Sequence, residues 1–147
     1  MTYLRHPGFR AISHNALRIA AGFLFWQHGA QKLMGWLGGF GGQPGQTADL
    51  VSLMGLAGAL EFFGGILILL GLFTRPVAFL LSGQMAVAYF MSHAPRGFWP
   101  IQNGGELAAV YAFVFLLLAV WGPGSFSLDA ALGRSSEGGA TPAGPSG

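Results

Sequence analysis

Glu61 is the only ionisable residue in an otherwise apolar run from 50 to 73. A charge at the centre of a membrane-spanning helix costs about 3 kcal/mol on insertion scales, so such groups face a partner or a cavity. Two basic side chains precede it. His28 and Lys32 are four residues apart and share one helix face. A carboxylate, an imidazole and an ammonium can hold and pass a proton, which makes Glu61, His28 and Lys32 the candidate catalytic set. His93, Asn103, Glu106 and Tyr111 form a second set, placed near the outer ends of later apolar segments, as candidate cofactor-binding groups.

Each of these residues has a plainer reading. Glu61 could pair with Lys32 or His28 only to fix helix packing, and a single helical histidine often just bonds a neighbour. Lys32 could be an anchor whose stem runs out to the interface. Asn103 and Glu106 have the spacing of a capping box, and Tyr111 and His93 suit the membrane interface. The neighbours of Glu61 on its own helix favour burial. Ala57, Gly58, Gly64 and Gly65 lie three and four residues away, and small side chains let another helix approach. Gln84 falls near the middle of the third segment.

Other chemistries find less support. Two histidines and two carboxylates suffice in number for a metal, but the Glu-x-x-His pairs of di-iron bundles are absent, and no metal is expected. With no cysteine there is no disulfide, thiolate ligand or thiol nucleophile on this chain. No serine occupies a recognisable nucleophile turn. The glycines between Gly35 and Gln46 follow no strand, so they do not make a dinucleotide loop.

The elements that must position these groups follow from composition. Hydrophobic residues make up 52% of the 147, charged residues 8%, and mean hydropathy is +0.54. A soluble domain carries about a quarter charged residues. The chain is therefore expected in a lipid bilayer, as an all-α integral membrane four-helix bundle. The net charge of +2 comes from scattered basic residues, which excludes a nucleic-acid surface. Apolar segments at 16–34, 50–73, 76–91 and 106–121 are the expected spans. An even number puts both termini on one side. Arg5, Arg10, Arg18, Arg75 and Arg134 then oppose Lys32 and Arg96, which predicts cytoplasmic termini. The first segment lacks a convincing cleavage site and is read as a retained helix.

Three regions result: a cytoplasmic N-terminal segment at 1–15, a membrane domain at 16–132 and a disordered cytoplasmic tail at 133–147. Residues 35–46 are expected as an unstructured outer loop, 74–76 as a tight inner turn and 127–132 as a short interfacial turn. The polar residues within the spans collect between the midplane and the outer surface, the inner half being mostly aliphatic and aromatic. This predicts a polar funnel open to the outside, with Glu61 and His28 near its floor.

Several ordered motifs resemble the DoxX family. They are His28-Gly29-Ala30-Gln31-Lys32-Leu33, then Glu61-Phe62-Phe63-Gly64-Gly65, then His93-Ala94-Pro95-Arg96-Gly97-Phe98. Asn103-Gly104-Gly105-Glu106 and Gly122-Pro123-Gly124 with Ser127-Leu128-Asp129 complete the likeness, which spans 16–132. The resemblance implies a small four-helix protein of a bacterial or archaeal inner membrane. Similar proteins include a membrane subunit of a thiosulfate:quinone oxidoreductase and a mycobacterial organiser of a membrane oxidoreductase complex. It therefore implies a membrane subunit serving quinone-linked redox chemistry, with a soluble or membrane oxidoreductase subunit as partner. The alternatives are proton or small-solute transport, and a non-catalytic scaffold, either of which could be a homo-oligomer.

Overall fold

The computed structural model describes residues 6–134. Residues 1–5 and, apart from Gly133 and Arg134, the tail expected at 133–147 lie outside the described residues.

The first helix, α1 (Pro7–Met34), starts well before the apolar run at 16. Pro7 stands in the first turn, where its missing N–H costs nothing, and His6 Nδ1 accepts from the Gly8 N–H at 3.2 Å. Residues 7–15 thus form the opening turns of α1, ahead of the apolar run. Gly35, at φ 66°, ends the helix in the left-handed region that glycine favours.

The connection that follows is more ordered than its composition suggests. It contains a 3-10 turn at Phe40–Gly42. Gly45 N donates to Gly35 O at 3.2 Å, and Ala48 N donates to Lys32 O at 2.7 Å, so the loop closes back on the end of α1.

Helix α2 (Leu53–Leu70) is shorter than the run from 50 to 73 because both ends are capped inside it. Ser52 Oγ accepts from Gly55 N at 3.1 Å, and Gly71 turns left-handed at φ 69°. Helix α3 (Thr74–Ala88) then begins at once, so 74–76 is its first turn and not a free turn. The cap comes from far along the chain: Asp129 accepts from Phe73 N at 3.0 Å and from Thr74 N at 2.9 Å. A carboxylate there satisfies two orphan donors and meets the positive end of the helix dipole. A π-helical turn (Tyr89–His93) and a 3-10 turn (Ala94–Arg96) extend α3. The short α4 (Pro100–Asn103) leads to α5 (Glu106–Trp121), and α6 (Leu128–Ala131) fills the expected 127–132 turn, capped by Ser127.

Among the described residues all regular structure is helical. The four long helices pack chiefly in two pairs, α1 along α2 and α3 along α5, and α2 touches α3 less extensively. Glycine sets the first pairing. A Cβ on Gly29 would lie 2.2 Å from Phe62 N, one on Gly22 2.5 Å from Leu69 N, and one on Gly65 2.7 Å from Trp26 N. The two backbones are therefore in direct contact, as small residues permit between membrane helices. Gly29→Ala should force them apart and lower stability by about 1–3 kcal/mol. An unchanged unfolding midpoint in detergent would contradict this close approach.

Phe25, Ile68, Leu81, Phe115 and Leu118 fill the space between the pairs. The outward faces are also apolar. Phe63, Phe79, Phe90 and Phe113 are 61, 69, 69 and 70% exposed. Such faces on several helices suit lipid and not water. Two helical stretches, Leu53–Leu70 and Thr74–Arg96, are long and apolar enough to cross a membrane, and Glu106–Trp121 is a shorter apolar helix.

The end carrying the start of α1 is not the mainly aliphatic and aromatic half expected from sequence. Arg18 is 1% exposed there, and its Nη1 donates to Ile68 O at 2.8 Å and Leu69 O at 2.6 Å, while Nη2 donates to Phe126 O. Asn15 accepts from Phe126 N at 3.1 Å, and His14 Nε2 bonds Gly122 O at 2.9 Å. These groups hold the last turn of α2 and the segment after α5 against α1.

Candidate functional site

Lys32 comes from the last turn of α1 and Glu61 from the middle of α2. Gly58, one turn before Glu61, makes room for the lysine stem: a Cβ there would lie 2.9 Å from Lys32 Cβ. Lys32 Nζ donates to Glu61 Oε1 at 2.5 Å and to Oε2 at 2.6 Å. Glu61 is 2% exposed. Gln84, from α3, donates through Nε2 to Glu61 Oε1 at 3.2 Å and to Ala57 O at 3.3 Å. The carboxylate is thus held by three helices. An ammonium carries three hydrogens, so Lys32 keeps one beyond its two bonds to Glu61.

These groups lie in the wall of a cavity of about 710 Å³. Its lips are the exposed apolar side chains Leu53 and Met54 of α2 and Phe79, Leu80 and Val87 of α3. The cavity is bordered by exposed side chains at its side, between α2 and α3, and it also reaches His93 and Gly104 at the Glu106 end of the fold, where Met91, Gly104 and Leu107 in its lining are exposed.

His28 and Tyr111 line the same cavity from α1 and α5. Their rings meet edge to face with centroids 6.4 Å apart. Tyr111 is buried and fixed by Phe25 and Phe115, at 5.1 and 5.6 Å between ring centroids. His28 is half-buried and has no hydrogen bond among the described residues. His93 also reaches the cavity, with its Nδ1 3.1 Å from Asn103 O.

The structure does not bring Asn103 or Glu106 to the cavity. Asn103 is 2% exposed and spent on backbone: Nδ2 donates to Gly97 O at 2.8 Å and Oδ1 accepts from Gly105 N at 2.7 Å. The expected capping box does not form, because α4 ends at Asn103 and left-handed Gly104 (φ 71°) separates it from Gly105, the cap of α5. Glu106 is exposed at the first position of α5, where its charge suits the helix dipole. Gln84 is the site residue that the candidate sets omit. An amide midway along an apolar helix was its signal, and only the packing of α3 on α2 shows which group it meets. Among the described residues, no three side chains of metal-ligating type group together.

An all-helical chain with exposed apolar helix faces and a buried ion pair in the wall of a laterally open cavity is a membrane protein with an internal polar site. It belongs to the DoxX family, whose model matches residues 14–94, more than half of the chain. An uncharacterized protein of Haemophilus influenzae is 44% identical over 116 residues, 77% of this chain and 85% of its own. The inner membrane protein YqjF of Escherichia coli is 30% identical over 132 residues, covering 80% of this chain and 89% of its own. No solved structure matches.

Proposed function

We propose that this protein is a membrane subunit of a quinone-linked oxidoreductase complex, and that the cavity beside Glu61 receives a lipid-soluble quinone. The observation that carries this reading is a charged, hydrogen-bonded pair in the wall of an apolar cavity whose mouth faces the place of lipid. A ligand that travels in the bilayer enters through such a mouth, and one with a polar head needs a few placed donors inside.

The residues present fit such a head group. Lys32 has a hydrogen to offer a carbonyl oxygen, and the Tyr111 and His28 rings line the same cavity. Glu61, kept in place by Lys32 and Gln84, is the group suited to hold a proton next to it. A bound quinone would supply two-electron redox chemistry, with electrons delivered by a partner subunit. Lacking cysteine, this chain supports such a reaction through binding, orientation and proton handling.

The same proposal includes four spans with both termini cytoplasmic. Exposed Arg10, Arg75 and Arg134 mark one end of the fold and exposed Arg96 the other, while Lys32 is neutralised by Glu61. The exposed tryptophans fit interfacial belts, with Trp121 at the arginine-rich end and Trp36 and Trp99 at the other. Inner-membrane placement accords with the name of the Escherichia coli relative.

The test is quinone binding by the purified protein in lipid nanodiscs. Glu61→Gln should weaken it about tenfold, the effect of one charge-assisted contact worth roughly 1.4 kcal/mol. If the unaltered protein binds no quinone, the reading fails.

A further inference from the structure

A second cavity, of about 320 Å³, lies between α1 and α5 beneath the loop that follows α1. Leu24, Gln27 and Gln31 line it from α1, and Leu37 from the loop. Three further lining residues, His28, Leu107 and Tyr111, also line the cavity of Glu61. The two spaces are therefore neighbours with a shared wall. That wall is one residue thick, and its polar parts are an imidazole and a phenol.

The second cavity has the chemistry of a water site. Gln27 Nε2 donates to Phe23 O at 3.4 Å and Gln31 Nε2 to Leu37 O at 3.3 Å. Each amide oxygen is left without a protein partner among the described residues, as an acceptor for water. Its lining sets two glutamines, an imidazole and a phenol among three leucines, and a space of this size has room for water on the polar side, each molecule needing about two to four partners. On α1, Gln27, His28, Gln31 and Lys32 form one polar face, because positions three and four apart adjoin on a helix. That face leads from the second cavity to the Lys32–Glu61 pair.

The two rings of the wall differ in freedom. Tyr111 is locked between Phe25 and Phe115, whereas His28 is half-buried and has no hydrogen bond among the described residues. A rotation of His28 about its side-chain bonds is the smallest change that would join the cavities.

We propose that the second cavity is a water-binding vestibule, and that His28 closed against Tyr111 is the movable partition through which water from it reaches the Lys32–Glu61 pair. This route is separate from the lateral mouth, so a ligand could fill the larger cavity without cutting the ion pair off from water. The inference holds whatever that ligand is.

The chain has no cysteine, so single thiols can be introduced cleanly. Gln31→Cys places one in the vestibule and Ala57→Cys one in the larger cavity. A charged methanethiosulfonate, applied to both faces of proteoliposomes, reports water access and cannot enter from lipid. Gln31→Cys should label readily and Ala57→Cys slowly. Adding His28→Ala should raise labelling of Ala57→Cys about tenfold or more, as loss of a side-chain barrier of roughly this height would. His28→Phe, which restores bulk, should keep it slow, and Leu24→Ala, which widens the vestibule alone, should leave it unchanged. Rapid labelling of Ala57→Cys with His28 intact would overturn the proposal by showing that the larger cavity meets water directly. An unchanged rate with His28→Ala would overturn it too. Quinone binding in nanodiscs is read independently of these labelling rates, so failure of this idea and failure of the functional reading are told apart.

Discussion

Lys32→Met will destabilise the protein by about 3–5 kcal/mol, the loss seen when one partner of a buried ion pair is removed. The reason is what remains. Glu61 is 2% exposed and in mid-helix, where its short stem cannot carry it to the surface, and it keeps only the Gln84 amide for support. The reverse change is milder. Glu61→Gln leaves an ammonium whose side chain is 20% exposed and whose flexible stem can carry it toward the helix end. That variant should lose only about 1–2 kcal/mol, chiefly from hydrogen bonds exchanged for weaker ones. Lys32→Met combined with Glu61→Leu should recover most of the stability lost by Lys32→Met alone, since apolar replacements of a buried pair are often neutral. Reversible unfolding in mixed micelles measures all three. If the double variant is no more stable than Lys32→Met, the pair is not the coupled unit seen in the structure.

The same pair shows how far the sequence could be read. A lone carboxylate at the middle of an apolar run, with small residues around it, marked Glu61 as buried. The i, i+4 spacing of His28 and Lys32 put both on one face. Which of them meets Glu61 depends on the axial register of α1 against α2, and that register is set by glycine contacts between backbones, such as Gly29 on Phe62. A stripe of small residues shows that helices can approach, but not at which level. The direction of the cavity was hidden for a related reason. Its side is bordered by exposed apolar side chains of α2 and α3, which look the same in sequence whether they face lipid, core or cavity. Asn103 and Glu106 misled because capping-box spacing assumes one uninterrupted helix start, and left-handed Gly104 breaks it.

Arg18 was the largest omission, and its replacement should be about as damaging as that of Lys32. By sequence it is one more basic residue on the cytoplasmic side. In the fold it is buried, and its guanidinium serves three carbonyls: Ile68 and Leu69 at the end of α2 and Phe126 beyond α5. The last carbonyls of a helix have no partner within it and carry the negative end of its dipole, so a cation there satisfies both needs. Arg18→Leu keeps much of the bulk but takes the donor from Leu69 O and Phe126 O, whereas Ile68 O still accepts from Gly71 N. At roughly 1–3 kcal/mol for each buried group, partly relieved by local relaxation, the loss should reach about 3–5 kcal/mol. Arg18→Lys should recover little of it, because a single ammonium cannot match a planar fork spread over carbonyls from two segments. The damage should also spread in a particular direction. Asp129 caps α3 from the segment that Arg18 holds through Phe126, so backbone exchange at Phe73 and Thr74 should rise along with that at Phe126. Hydrogen exchange that rises at Phe126 but not at Phe73 and Thr74 would show that the α3 cap stands without Arg18. Exchange that rises at all three would make this arginine the residue that ties the α2–α3 junction to the far end of the chain.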